Sequence, residues 1–385
     1  MTVSFHFELS LPNDQYYTRR NTMIPFNNLE RTNNRIKEEI KAAINRVVDS
    51  NWFILGEENR QFEEAYADYM GAKHCIGVSN GLDALHLILE ALDLPKGSEV
   101  IVPANTFIAT ALAVSYCGYK LRLVDVEPDS RLMDPKKLEA AITEKTRVIM
   151  PVHLFGNACD MDRIMSVADS HGLYVVEDNA QSQGCRYGDR YTGCFGIASG
   201  TSFYPGKNIG ALGDAGAILT DDDAMAQKIR ALANYGSSVK YRHDYSGFNN
   251  RLDEIQAAVL RVKLKYLREW NESRTEAAAY YMEHIDNPLV TLPTVRFCSV
   301  WHLFVLGIAD GRRDAFIQYL KENGVETAIH YPIPVHMQRA YAREFTGERF
   351  PVAERLAQEI VSIPMNPYMR RDELEKVVNL VNAWC

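Results

Sequence analysis

Between Gly71 and Asp178 the sequence keeps one rhythm. Short apolar or β-branched runs (HCIGV, EVIVP, LRLVDV, RVIMPV, LYVVED) alternate with helical patterns (LDALHLILEAL, FIATALAVSYC, PKKLEAAI, DRIMSVADSHG). Strands that are apolar throughout and separated by helices predict an α/β fold with a mostly parallel sheet covered on both faces. Ligands of such sheets bind beyond the carboxyl ends of the strands, so the chemistry is sought there. At 385 residues the chain is too long for one small core and is divided into a large domain over 24–262, with an N-terminal helical segment, and a smaller C-terminal domain over 263–385. Residues 1–23 lack a basic n-region and a continuous apolar stretch; they read as a disordered extension and not as a secretory signal.

Bulk charge removes several functions. A net charge of −8 leaves no basic excess to neutralise phosphates or an anionic bilayer, so neither nucleic acid nor membrane is an expected partner. The seven cysteines are odd in number and show no C-x-x-C spacing. That pattern predicts reduced thiols in a cytoplasmic protein, with no disulfide frame and no metal site.

The strand ends carry the candidate chemistry. The first, Ser79-Asn80-Gly81-Leu82-Asp83, joins a strand to a helix, where free backbone N–H groups and the positive helix end form an anion cradle or a simple N-cap. Phe107 follows the second as either a core aromatic or a stacking platform for a flat ligand, and His153 at the fourth reads as a structural histidine. The fifth places Asp178 at the mouth of a buried strand, with Gln181 three residues on. A carboxylate there requires a cationic partner, and a protonated pyridinium nitrogen is well matched. Tyr187, in the Gly-rich hairpin GCRYGDRYTGCFG, either faces the site or fills a turn.

The stretch SFYPGKNIGALGD sets Lys207 in a Pro-kinked loop bounded by glycines, five residues after Ser202. A lysine in this setting suits Schiff-base chemistry with a carbonyl cofactor, which needs an amine lowered in pKa. Ser202 is placed to donate to a phosphate held by the Gly81 loop.

Together, SNGLDAL, PANTFIAT, VEDNAQ, SFYPGKNIGALGD and GFNNRLDEIQAA resemble the DegT-type sugar-nucleotide aminotransferases, from about Ile24 to the end. The resemblance implies pyridoxal-phosphate fold type I, with a seven-stranded sheet and a smaller C-terminal α+β domain. It implies that Lys207 carries pyridoxal 5'-phosphate, with pyridoxamine phosphate as its second form, and that Asp178 pairs with the ring nitrogen. Gln181 would contact the phenolic oxygen, Gly81, Leu82 and Ser202 the phosphate, and Phe107 the ring face. Gly247, Asn249 and Arg251 match a motif whose asparagine reaches the cofactor phosphate of the neighbouring subunit, which implies a homodimer with shared sites. Lys240, Tyr241 and Arg242 become candidates for the substrate diphosphate, and His330, Tyr331 and His336 for the sugar.

The implied reaction transfers an amino group from L-glutamate to a nucleotide-linked keto sugar, with a dTDP-3-keto-6-deoxyhexose expected and a 4-keto or 5-keto sugar as alternative. A cofactor-binding regulator without turnover is the alternative of another class. A dehydrogenase is disfavoured, because no G-x-G-x-x-G follows the first strand. Downstream, residues 253–285 read as one long helix with Ile255, Val259, Val262 and Tyr266 on one side, a spine between the domains.

Overall fold

The computed structural model describes residues 23–385; of the expected N-terminal extension, residues 1–22 lie outside this range. After a one-turn helix at Glu30–Asn33, two longer helices, α1 (Lys37–Ser50) and α2 (Glu57–Met70), precede the sheet strands. These strands are β1 (His74–Val78), β2 (Glu99–Pro103), β3 (Lys120–Val124), β4 (Thr146–Ile149), β5 (Tyr174–Asp178), β6 (Ala198–Ser202) and β7 (Gly216–Thr220). Their order across the sheet is β1-β7-β6-β5-β4-β2-β3. Every pair from β6 to β3 is parallel; β7 runs against both of its neighbours.

Helices α3 (Gly81–Ala91), α4 (Ile108–Tyr116), α5 (Met161–His171) and α6 (Asp223–Ala233) cover the sheet. All five residues of β2 and of β7 are buried, as expected of strands covered on both faces. Because β1, β2, β5 and β6 point the same way, their carboxyl ends meet on one edge. That convergence brings distant parts of the sequence to one place.

Helix α1 presents Ile36, at its entry, with Ile40 and Val47 against Val259 and Val262. These two sit on α7 (Glu254–Leu264), which is followed by α8 (Leu267–His284). The single spine expected from sequence is therefore two helices. At the break the Tyr266 N–H bonds the Lys263 carbonyl three residues back, a tighter step than an α-helix makes. The C-terminal layer is a three-stranded antiparallel sheet, β8 (Val290–Thr291), β9 (Phe304–Ile308) and β10 (Ile360–Ile363). It is packed by α9 (Arg313–Glu322) and α10 (Arg371–Ala383), which supply Phe316, Leu320, Val377 and Val381 to its core.

The division at residue 262 is not clean in space. Ile24, placed with the large domain on sequence order, pairs with Val325 and joins the C-terminal core, and Arg31 pairs with Glu373. In return, Val335, Tyr341, Phe345 and Phe350 pack on the core of the large sheet. Apolar contact decides both exchanges: each segment lies where its own aromatic and branched residues are buried.

Buried carboxylates hold the loops at the sheet edge. Glu177, fully buried on β5, accepts from the N–H groups of Gly193, Phe195 and Gly196 at 2.6–2.8 Å and from His153 Nε2 at 3.1 Å. The His153 Nδ1 bonds the Cys159 N–H and its Nε2 the Glu177 carboxylate, so both ring nitrogens are taken up by protein, as expected of a structural histidine. Replacing Glu177 with Ala strands four buried donors at about 1–3 kcal/mol each, so a loss of about 3 kcal/mol or more is expected. Urea titration followed by fluorescence checks it; an unchanged midpoint would contradict this role.

Candidate active site

Lys207 sits in a loop pinched shut at its base. Phe203 N–H donates to the Ala215 carbonyl and Ala211 N–H to the Phe203 carbonyl, both at 2.8 Å, and Lys207 N–H closes a turn on Tyr204 at 2.8 Å. Phe203 anchors the loop, fully buried with its ring edge-on to Phe62 and Tyr66. Gly210 is required there, since a Cβ would lie 2.3 Å from the Pro205 carbonyl oxygen. Next to the lysine, Asn208 donates through Nδ2 to Asn271 Oδ1 and the Val300 carbonyl, and its Oδ1 accepts from His302 Nδ1 at 3.0 Å.

Asp178 ends β5 and is buried. Its Oδ2 accepts from the Thr110 hydroxyl at 2.8 Å and its Oδ1 from the Ala180 N–H at 3.1 Å. Burial raises its pKa above the usual carboxylate value; the Thr110 and Ala180 hydrogen bonds and the Lys207 charge oppose that rise. Burial lowers Lys207 to about 8, against the pull of Asp178. Each side chain thus registers the other's charge, yet no ion pair joins them among the described residues.

The anion cradle assembles across the sheet. At the start of α3 the Asn80 Oδ1 caps the Asp83 N–H at 2.9 Å, leaving Gly81 and Leu82 to offer N–H groups with no intrahelical acceptor. A Cβ on Gly81 would meet the Cβ of Ser202 at 2.7 Å, so glycine is what lets the serine hydroxyl stand beside the helix end. Residues 81 and 202, far apart in sequence, form one cradle.

Four more expected residues join this cluster. Gln181 accepts from the Phe155 N–H at 2.7 Å and donates to the Tyr331 hydroxyl at 3.1 Å. The Tyr331 ring lies 5.3 Å from that of Phe107, which keeps 52% of its surface exposed and is not the core aromatic the sequence left open. His330 bonds Ser362 Oγ at 2.9 Å, and burial with the nearby Lys207 charge depresses it to about 4, so it is neutral.

Others do not join it. The Tyr187 hydroxyl donates to Asp162 at 3.0 Å and its ring packs on Phe195 and Phe297, so it fills the hairpin and does not face the lysine. His336 is buried against Phe350 with Nε2 on Glu354, where packing on the large core, and not the sugar loop, claims it. Lys240, Tyr241 and Arg242 stand exposed on a two-stranded hairpin, and Asn249 is exposed beside it, paired with Asn234. Gly247 approaches the Gly236 backbone too closely for a side chain, while Arg251 bonds Asn234 at 2.9 Å and lies over Tyr235.

Sequence reading missed Thr110, His302 and Asn208. His302 is buried within an apolar run, and burial together with the charges of Lys207 and Arg274 holds its pKa well below the ordinary value. A lone histidine inside VWHLF was the available signal; Thr110, four residues after Thr106 on a helix start, offered none.

A lysine lowered to about 8, a buried carboxylate with no ion-pair partner among the described residues, the Gly81–Ser202 contact at a helix start and the exposed Phe107 ring lie at the carboxyl ends of the strands. The chain belongs to the DegT/DnrJ/EryC1/StrS aminotransferase family, whose pattern matches residues 34–382. It is 50% identical over 364 residues, 94% of this chain and 99% of the relative, to dTDP-3-amino-3,6-dideoxy-alpha-D-galactopyranose transaminase of Aneurinibacillus thermoaerophilus. The crystal structure of S. venezuelae DesV in complex with a ketimine intermediate superposes with a TM-score of 0.91, at 42% identity, covering 94% of this chain and 98% of that one. NtdA from Bacillus subtilis with bound cofactor PMP superposes at 0.87, with 32% identity, covering 94% and 84%. The fold is that of fold type I enzymes, and the protein is an aminotransferase.

The amine reacts only when neutral, so in cofactor-free protein acylation of Lys207 should rise with pH about a midpoint near 8. Surface lysines should follow about 10.4. Asp178 favours the ammonium form, so Asp178→Asn should move the midpoint lower. Peptide mass spectrometry across pH checks both, and a midpoint near that of surface lysines would contradict the site's electrostatics.

Proposed function

We propose that the protein transfers an amino group from L-glutamate to carbon 3 of a dTDP-linked 3-keto-6-deoxyhexose, using pyridoxal 5'-phosphate held at Lys207. The observation that carries this reading is a lysine at about 8 and a buried carboxylate without an ion-pair partner, each feeling the other's charge, at the strand ends beside the Gly81–Ser202 contact. Family membership supports the chemistry, and the relative named as a dTDP-3-amino-sugar transaminase supports the substrate class.

The residues fit the cofactor. Gly81 and Leu82 offer N–H groups and Ser202 a hydroxyl to its phosphate, Phe107 an aromatic face to its ring, and Asp178 an acceptor to a protonated ring nitrogen. Bound there, pyridoxal phosphate supplies a carbonyl that takes up amino groups and a ring that absorbs electron density from the adjacent carbon.

The chain's own part is proton handling and positioning. Lys207, when its amine is free, takes a proton from the donor's α-carbon and later returns one to the sugar's carbon 3, a general-base role its lowered pKa suits at neutral pH. Asp178 stays ionised when a cationic partner pairs with it, because the partner offsets the cost of burial. His302 and His330, held neutral, add no positive charge that would compete for that carboxylate. Asn208, tied at both ends of its amide, fixes the loop on which the lysine swings.

The active unit in this reading is a homodimer. Trp52, Phe53, Ile54 and Leu55 form a run of exposed apolar residues, and Phe107 and Tyr204 at the site are more than half exposed, which suits a surface that a second copy covers. Lys240 and Arg242 stand exposed on a two-stranded hairpin, and in this reading the diphosphate they hold is the one at the neighbour's site. No described helix is long and apolar enough to cross a membrane.

With glutamate and a dTDP-3-keto-6-deoxyhexose, mass spectrometry should show the amino sugar and 2-oxoglutarate, and glutamate alone should yield about one 2-oxoglutarate per site in the first half reaction. Lys207→Ala should lower turnover by at least about 10⁴-fold. A protein that binds the cofactor but releases no 2-oxoglutarate would be the regulator instead. Turnover of only the 4-keto isomer would overturn the regiochemistry. Sedimentation of the wild type should give a dimer that Phe53→Glu weakens, and a monomeric active enzyme would contradict the shared site.

A further inference from the structure

Where the two helices that carry the site pack together, three side chains of different chemistry converge. His86 and Glu90 lie four residues apart on α3 and so share a face, and Cys117 follows the last residue of α4. A His nitrogen, a Glu oxygen and the Cys sulfur all lie within 4.8 Å of one another. His86 is 6% exposed, its Nε2 stands 3.5 Å from Glu90 Oε1, a long contact, and the Cys117 thiol donates weakly to the His86 carbonyl at 3.7 Å. Phe248 and Tyr116 hold the ring edge-on at 4.7 and 5.7 Å. Glu90 and Cys117 are only partly buried, which leaves an approach from solvent.

A buried imidazole held only at 3.5 Å by a carboxylate, with a thiol converging on the same point, is poorly explained as core packing. Three ligands of N, O and S type with one open position are the donor set of a four-coordinate zinc site. We propose that His86, Glu90 and Cys117 bind one thiophilic divalent cation, Zn²⁺ or a chemical equivalent, with water at the fourth position. On binding, the Cys117 S–H bond breaks, the sulfur–metal bond forms, and the proton leaves to solvent, so one proton is released per ion.

The position gives the ion a structural task. Helix α3 begins at the Gly81–Leu82 cradle, five residues or about 7.5 Å along the axis from His86. Helix α4 begins after Phe107 and carries Thr110, the hydroxyl that bonds Asp178. An ion shared by His86, Glu90 and Cys117 clips these helices together behind the site, fixing the phosphate cradle relative to the carboxylate. The inference does not depend on the sugar specificity or on turnover.

The test uses full-length holoprotein freed of metal by a chelator and titrated with Co²⁺ and Zn²⁺. One Co²⁺ per chain should bind with a thiolate-to-cobalt absorption band. Cys117→Ser should abolish the band and weaken Zn²⁺ binding by at least about 100-fold. Cys298→Ser should leave both unchanged, since Cys298 lies beside a different thiol, Cys185. Zn²⁺ should raise the melting temperature of wild type but not of Cys117→Ser. No uptake by wild type, uptake without a thiolate band, or a band that survives Cys117→Ser would each overturn the proposal. Because the wild-type cobalt spectrum needs no variant, misfolding of a mutant cannot mask that result.

Discussion

A carboxylate and an amine have been taken out of water at neighbouring strand ends without being allowed to neutralise each other. Asp178 is pushed up and Lys207 down by the same burial, and each is partly rescued by the other's charge. Desolvation of this kind is costly, and a fold retains it where the two groups have a shared cationic or electrophilic ligand to serve. Other features of the site follow from keeping this pair apart and in place. Thr110 and the Ala180 N–H hold the carboxylate at one end. The Phe203–Ala211 closure and the tied Asn208 amide hold the lysine at the other.

Around that pair, further buried acids act on backbone and not on ligands. Glu177 gathers the 193–196 loop beneath the sheet edge, and Glu254 accepts from Gly56, Glu58 and Asn59 to seat the start of α2. Asp125 receives the N–H groups of Val352 and Ala353, fastening a C-terminal helix onto the large sheet. Each carboxylate replaces several waters for a turn that would otherwise carry unsatisfied donors. Adjacent residues on one strand thereby divide the labour: Glu177 is saturated by protein, while Asp178 keeps acceptor capacity for something else.

The architecture was legible because its signal is local. Five apolar runs separated by helical patterns predict a doubly covered sheet, and β1 to β5 fall on those runs, β3 and β4 starting one residue ahead. Lys207, Asp178, Gly81 and Ser202 were also readable, since each sits at a strand end where the chain reverses and glycine or a capping residue marks the turn. What the sequence hid depends on contacts between distant segments. The break at Tyr266 leaves the apolar stripe of residues 255–266 intact, so periodicity cannot reveal it. Ile24 docks on Val325 across three hundred residues, His336 is diverted to Glu354 by packing, and Tyr187 finds Asp162; none of these pairings has a local mark. Thr110 and His302 look like ordinary helix and strand residues until the sheet brings them to Asp178 and Lys207.

Two lysines in this chain are lowered to about 8 by burial, Lys207 and Lys263, and they line one cavity. Only Lys207 registers the Asp178 carboxylate, whereas the Lys263 amine is spent on the Gly210 carbonyl. Borohydride reduction of the holoprotein, followed by peptide mass spectrometry, locks the cofactor onto whichever amine holds its carbonyl. The account predicts a pyridoxyl group on Lys207 alone; a label on Lys263, or on no lysine, would contradict it.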